Sequence, residues 1–315
     1  MRPLAEQPAL RVAPFTATAA RAAALDWRGE VARQGKVVFV TGKGGTGKTT
    51  VAAALATSFA AAGGRTVLVG LDGLADLPGL PEELRFERVD PNKALLEWLT
   101  ELGGRVAARL LIARSSFRLF AAAAPGAREL LTLSRIAELR HRYDFVVVDG
   151  PASGHARALW RSPATVAGIA RVGPIAERTR ELGLLLADDL AVAFVAVAKP
   201  LELAVSETVE LASLLEADLG RRFTAVVLNC ATKQRFTKVE LATAAEAKDA
   251  VVAEAVVAAR RSTARYHRER REAARLRRAG LRIVELPLVP NHGELIDLAL
   301  ELQPQLAPLT RSLAG

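Results

Sequence analysis

The sequence predicts a doubly wound α/β fold built on a mostly parallel sheet. Three observations carry this. Short β-branched apolar runs alternate with longer helical stretches; the runs are continuously apolar, as strands covered on both faces are; and a glycine-rich octapeptide joins the first run to an alanine-rich helix. Residues 1–34 contain alanine and proline without a sustained period and read as a tail or peripheral arm, so the domain is expected over residues 35–315. Val37–Thr41 is the first expected strand, with a helix over Thr49–Ala62 behind it, and Thr66–Leu71 is the second. From about residue 81 to residue 143 only helices are expected. Asp90 and Pro91 supply a cap and first turn for Asn92–Leu99, and Ala127–Arg140 has an amphipathic period, so this stretch reads as a helical insertion packed on the sheet. Phe145–Asp149, Ala191–Ala198, Ala225–Asn229 and Arg282–Leu286 complete the strands.

Composition removes several function classes. No run approaches the ~18 apolar residues of a membrane-spanning helix, and Met1 to Glu6 include a proline and an acid where a signal peptide needs an apolar stretch. Cys230 is the sole cysteine, so neither an internal disulfide nor a multi-thiol zinc or arsenite cage can form, and a cytoplasmic protein is expected. Its expected role is that of a small buried hydrophobe. The excess of 43 basic over 34 acidic residues, a net +9, suits anionic partners but also describes a solvated basic surface.

Gly42-Lys43-Gly44-Gly45-Thr46-Gly47-Lys48-Thr49 fits G-x-x-x-x-G-K-[ST]. Between a strand and a helix beginning near Thr50, this segment aims backbone N–H groups and a helix N-terminus at one anionic point, and glycines let the backbone close on phosphate. Lys48 would reach the β- and γ-phosphates, while the Thr49 hydroxyl would ligate Mg²⁺. Phe145–Asp149 ends in an acid at the carboxyl edge of the sheet, where such folds bind ligands, and makes Asp149 the expected metal-orienting carboxylate. The chain therefore reads as a nucleotide-binding protein with a magnesium-assisted phosphate site.

The extra lysine, Lys43, is not required by the generic loop. With it, Lys-Gly-Gly-Thr-Gly-Lys-Thr resembles the deviant Walker A ATPases, which include the ArsA arsenical-pump ATPase, the targeting factor for tail-anchored membrane proteins, and the MinD and ParA partitioning proteins. The resemblance implies that Lys43 reaches across a dimer interface to the partner's nucleotide. Asp149-Gly150-Pro151-Ala152-Ser153-Gly154-His155 is similar to the second switch of ArsA-like proteins, with Pro and Ala rearranged, which assigns γ-phosphate sensing to Gly154 and a structural role to His155. Asp72 matches the family's water-positioning aspartate, although the expected proline and histidine are replaced in Asp72-Gly73-Leu74-Ala75-Asp76-Leu77. Either Asp72 or Asp76 can hold that position, and Asp72 is also a candidate near the metal. A carboxylate with an ordinary pKa of about 3.9 orients water better than it deprotonates it.

Phe117–Leu133, Gly173–Glu177, Lys199–Glu202 and Ser206–Thr208 are similar to the short ArsA-like ATPases of actinobacteria, so the resemblance covers about Val37 to Leu302. It implies that Asn229 hydrogen-bonds the adenine edge and that Pro287, Val289 and Pro290 belong to the loop over the base. An amide matches both the donor and the acceptor positions of adenine. The resemblance also implies a homodimer or a heterodimer with a related ATPase, serving an unknown protein client. One Met and one Cys leave no methionine-lined groove or zinc clasp like those of the tail-anchored targeting factor. Residues 260–282 hold ten arginines opposed only by Glu269 and Glu272. A solvated or partner-facing helix is the favoured reading there; attachment to DNA or an anionic membrane, as in ParA and MinD relatives, is the alternative, and a weakly active regulatory subunit is a third.

Overall fold

A computed structural model describes residues 34–71, 79–81, 84–90, 93–94, 126–247, 249–289 and 295–314. Seven parallel strands form one sheet: β1 (Lys36–Gly42), β2 (Thr66–Gly70), β3 (Leu84–Arg88), β4 (Phe145–Ala152), β5 (Val192–Ala198), β6 (Ala225–Ala231) and β7 (Ile283–Pro287). Their spatial order is β3-β2-β4-β1-β5-β6-β7. The order reverses around β1, whose neighbours are β4 and β5, and that central crevice is where doubly wound sheets take their ligands.

The described helices are α1 (Lys48–Ala61), α2 (Ala127–Leu139), α3 (Ser153–Ala167), α4 (Pro174–Ala187), α5 (Glu202–Leu219), α6 (Lys238–Ala245), α7 (Ala250–Arg278) and α8 (Leu295–Ala314). Alternate strand residues serve opposite faces, which explains the continuous apolar runs. Val38, Val40, Leu68, Val147 and Val195 pack on α1 and α8, while Val37, Phe39, Val67, Val146 and Phe194 pack under α2 to α5 and α7. α1 is buried from Val51 to Phe59 without a break, because the sheet covers one side and α8 the other. Its alanines allow that close approach. None of the described helices is long and apolar enough to cross a membrane.

Leu84–Arg88 departs from the sequence reading, which expects only helices between residues 81 and 143. This segment pairs in parallel with β2, Thr66 opposite Leu84. Its residues, Leu-Arg-Phe-Glu-Arg, lack the apolar continuity of the inner strands because an edge strand is covered on one side only, and Leu84 alone is fully buried. Of the insertion, α2 lies where Ala127–Arg140 is expected; the tail over 1–33, the helix expected over Asn92–Leu99 apart from residues 93–94, and residues 95–125 lie outside the described residues.

Asp218 at the end of α5 ties α3 to the domain. Its carboxylate accepts from Arg157 Nε at 2.8 Å and from Trp160 Nε1 at 3.3 Å. Burial opposes the charge, but these donors outweigh it and hold the carboxyl below the usual carboxylate range. A depressed pKa contributes stability that is present above the unfolded value near 4 and is lost as pH falls through the folded value. Asp218→Asn should therefore lower stability at pH 7 by about 1 kcal/mol, a figure reduced for the partly exposed Arg157. The gap to the parent should narrow in urea titrations as the pH falls below the usual carboxylate range.

Candidate functional site

β1 delivers the glycine-rich loop to the crevice, and two glycines shape it. Gly42 has φ +147, and a Cβ there would lie 2.1 Å from Val197 O on β5, so the chain leaves the sheet in direct backbone contact with a neighbouring strand. Gly47 has φ +92 and immediately precedes α1; a Cβ there would lie 2.3 Å from Asn229 Nδ2. The helix opens with Val51 N–H donating to Gly47 O at 3.0 Å, which leaves the preceding N–H groups free of intrahelical partners. At this end the helix dipole favours negative charge.

The side chains close the loop on itself. Thr46 Oγ1 donates to Lys43 O at 2.9 Å, and Lys48 Nζ donates to the same carbonyl at 3.2 Å, which keeps the Lys48 ammonium inside the turn. Lys43 points out of the turn and forms an ion pair with Glu207 on α5. Thr49 Oγ1 donates to Asp149 Oδ2 at 2.7 Å. This bond joins the first turn of α1 to β4, and Asp149 is only 5% exposed. A hydroxyl and a carboxylate side by side next to the glycine-rich turn are hard oxygen donors of the kind magnesium takes, so these residues fit the ion.

β4 continues three residues past Asp149 to Ala152, and Thr41 Oγ1 donates to Pro151 O at 3.2 Å. Gly154 then lies within the first turn of α3, beside the loop's strand, with nothing within 4 Å of the position a Cβ would take. His155 follows Gly154 in the first turn of α3 and is exposed. Asp72 and Asp76 lie outside the described residues, as does Pro290.

On the far side of the loop Asn229 is buried at the end of β6. Its Nδ2 donates to Thr46 O and its Oδ1 accepts from Cys230 N–H, both at 2.9 Å. An amide has two donor hydrogens and two acceptor lone pairs, so each of its polar atoms keeps one position for a base. Cys230 has φ 61, and burial pushes its thiol above the ordinary range. Ala231 pairs with Pro287, and Leu288 N–H donates to Ala231 O at 3.1 Å, which sets Pro287 and Val289 beside the Asn229 turn. The loop residues 42–50, Asp149, Gly154 and Asn229 thus lie at the carboxyl ends of the central strands, with Pro287 and Val289 at the same end of the neighbouring edge strand β7.

Residues 35–172 match the anion-transporting ATPase family, ArsA ATPase. ATPase BagA of Mycobacterium tuberculosis is 32% identical over 238 residues, spanning 66% of this chain and 68% of that protein. The chain belongs to the ArsA ATPase family. It is an ATP hydrolase of that family with a parallel α/β sheet. ATPase ASNA1 homolog 1 of Paramecium tetraurelia is 28% identical over 148 residues, 41% of this chain and 44% of that protein. The part of the chain that matches the family begins at the turn leading into β1 and ends beyond α3, so it contains the glycine-rich loop, Asp149 and Gly154.

The structure gives partners to two acids that motif reading left without them: Glu207 bonds Lys43 of the loop, and Glu269 bonds Thr232 after β6. Glu207 sits in Ser206-Glu207-Thr208, legible as a family-like segment but not as a partner of Lys43, because 164 residues separate the two. Glu269 appears in sequence only as a rare acid among arginines. On α7, Arg265, Arg270, Arg275 and Arg277 pair with Glu269, Glu285, Glu272 and Glu285; Arg260, Arg261, Arg268, Arg271 and Arg278 are exposed, as are the paired Arg265 and Arg277.

Gly47→Ala should abolish nucleotide binding with little loss of secondary structure, because the added methyl meets both a left-handed backbone and the Asn229 amide. Calorimetric titration with ATP checks this; binding within threefold of the parent would contradict the placement of Asn229 against the loop.

Proposed function

We propose that this ATPase is a nucleotide-driven dimeric switch that binds Mg-ATP in the 42–50 loop and couples its hydrolysis to a protein partner. The observation that supports the reading best is the 2.7 Å hydrogen bond between Thr49 and Asp149, which gathers a hydroxyl and a carboxylate beside Lys48 at the sheet's carboxyl edge. Thr49 and Asp149 would hold magnesium, which when bound offsets charge on the β- and γ-phosphate oxygens. The loop N–H groups and Lys48 orient the triphosphate, and they are placed before substrate arrives, so little reorganisation accompanies the reaction. Asp72, following β2 in the chain, accepts a hydrogen bond from the attacking water and turns its lone pair to the γ-phosphate. Asn229, with Pro287 and Val289, receives adenine.

Lys43 supplies the switch. Within one chain its ammonium is held by Glu207 on α5, so engagement with a partner's nucleotide requires that pair to separate. Both groups are about one-third exposed, which keeps the pair weak enough to exchange. The partner is a second copy of this chain or a related ATPase.

Two variants separate the chemistry from the switch. Lys48→Ala should lower the rate of ATP hydrolysis by at least about 100-fold, the loss typical of removing one preorganised charge donor. Lys43→Ala should bind ATP within a few-fold of the parent yet fail to form the ATP-dependent dimer in light scattering. A Lys43→Ala chain that dimerises normally with ATP would exclude the switch role, and unchanged hydrolysis in Lys48→Ala would exclude the site.

A further inference from the structure

α7 carries a buried acid bonded to the turn that follows β6. Glu269 is 6% exposed, yet it sits in a helix whose neighbours in sequence are arginines. A buried carboxylate is stable only when its oxygens are hydrogen-bonded. Here Oε2 accepts from the Thr232 backbone N–H at 2.6 Å, and Oε1 accepts from Thr232 Oγ1 at 3.0 Å and from Arg265 Nε at 2.6 Å. Two of the three donors belong to one residue of the turn that follows β6, and the third is one helical turn away on α7 itself.

That turn is the one that places Asn229. Cys230 takes a left-handed conformation, which an L side chain adopts only when its surroundings hold it there. On one side of Cys230 its N–H is bound by Asn229 Oδ1, and on the other Thr232 is bound by Glu269. Asn229 Nδ2 then reaches Thr46 O in the glycine-rich loop, and Ala231 O holds Leu288 N–H. Glu269 is therefore the anchor of a short hydrogen-bonded path, from α7 through the 229–232 turn to both Asn229 and the 287–289 segment.

We propose that Glu269 is a positioning residue for the nucleotide base: it holds the 229–232 turn so that Asn229 and the Pro287–Val289 segment face adenine, and it does so without touching the nucleotide. The proposal rests on the reading of the loop as an ATP site. It assigns Glu269 to recognition of the nucleoside and leaves triphosphate capture to residues 42–50. Removing the carboxylate frees the turn to relax from the strained Cys230 conformation, and the base loses its receptor, whereas the phosphate cradle loses only the Asn229–Thr46 bond and keeps Gly42, α1 and the Thr49–Asp149 bond.

The test compares two ligands on the full chain, Mg-ATP and magnesium tripolyphosphate, by calorimetry. Glu269→Ala should weaken ATP at least tenfold and tripolyphosphate less than twofold. In turnover KM should rise by a similar factor, with kcat at saturation within twofold of the parent. Glu269→Gln, which keeps the shape and one acceptor oxygen, should fall between. Thr232→Ala approaches the same contact from the other side and needs no change in α7; it should weaken ATP two- to threefold with tripolyphosphate unchanged, and it decides the matter should Glu269→Ala fail to fold. Equal losses for both ligands, or ATP affinity equal to the parent's in Glu269→Ala or, if that variant does not fold, in Thr232→Ala, would overturn the proposal. A parent chain that binds neither ligand overturns the ATP site itself and this assignment with it.

Discussion

The structure turns on the passage of the backbone from β1 into α1. Between a strand flanked on both sides and a helix buried along its length, the chain must reverse within five residues while leaving its N–H groups directed outwards. Only glycine fits at Gly42, where a Cβ would collide with a carbonyl of β5, and at Gly47, where φ is positive and Asn229 presses from the side. An anionic ligand completes a turn of this kind because the amides and the helix N-terminus have no other partner for their partial positive charge. The catalytic surroundings are arranged with respect to it.

Around that turn the fold places three kinds of group on three sides. β4 brings Asp149 against Thr49, α5 brings Glu207 against Lys43, and β6 brings Asn229 against Thr46. Each contact joins the loop to a different strand or helix, so the loop geometry depends on the alignment of the whole sheet rather than on its own eight residues. The contacts differ in burial as their roles require. Asp149 and Asn229 are nearly inaccessible and fix geometry, whereas the Lys43–Glu207 pair lies near the surface, where an ion pair exchanges readily.

Arginine in α7 serves two ends. One set is absorbed by glutamates and stitches α7 to β7 and to the turn after β6; the other set faces outwards and sustains the net positive charge of the chain. Glu269 lies on the buried side of α7 and pairs with Arg265 one turn earlier, while Glu285 on β7 accepts from both Arg270 and Arg277 and so ties α7 to the edge of the sheet.

The phosphate loop, the inner strands and the carboxylate at the end of β4 were all legible in sequence, because each follows from local chemistry: glycines where the backbone must close, unbroken apolar runs where both faces are covered, an acid where such a run stops. Leu84–Arg88 escaped that reading since an edge strand is covered on one side and loses the pattern. Glu207 and Glu269 escaped it for another reason. Neither has a motif, and each acquires its role from a partner more than thirty residues away, brought near by the sheet order. Local residue chemistry thus marked the glycine-rich loop, Thr49 and Asp149 as the candidate site; only the folded arrangement decided which side chains hold the loop and the turn after β6 in place, since those contacts join segments that sequence spacing does not relate.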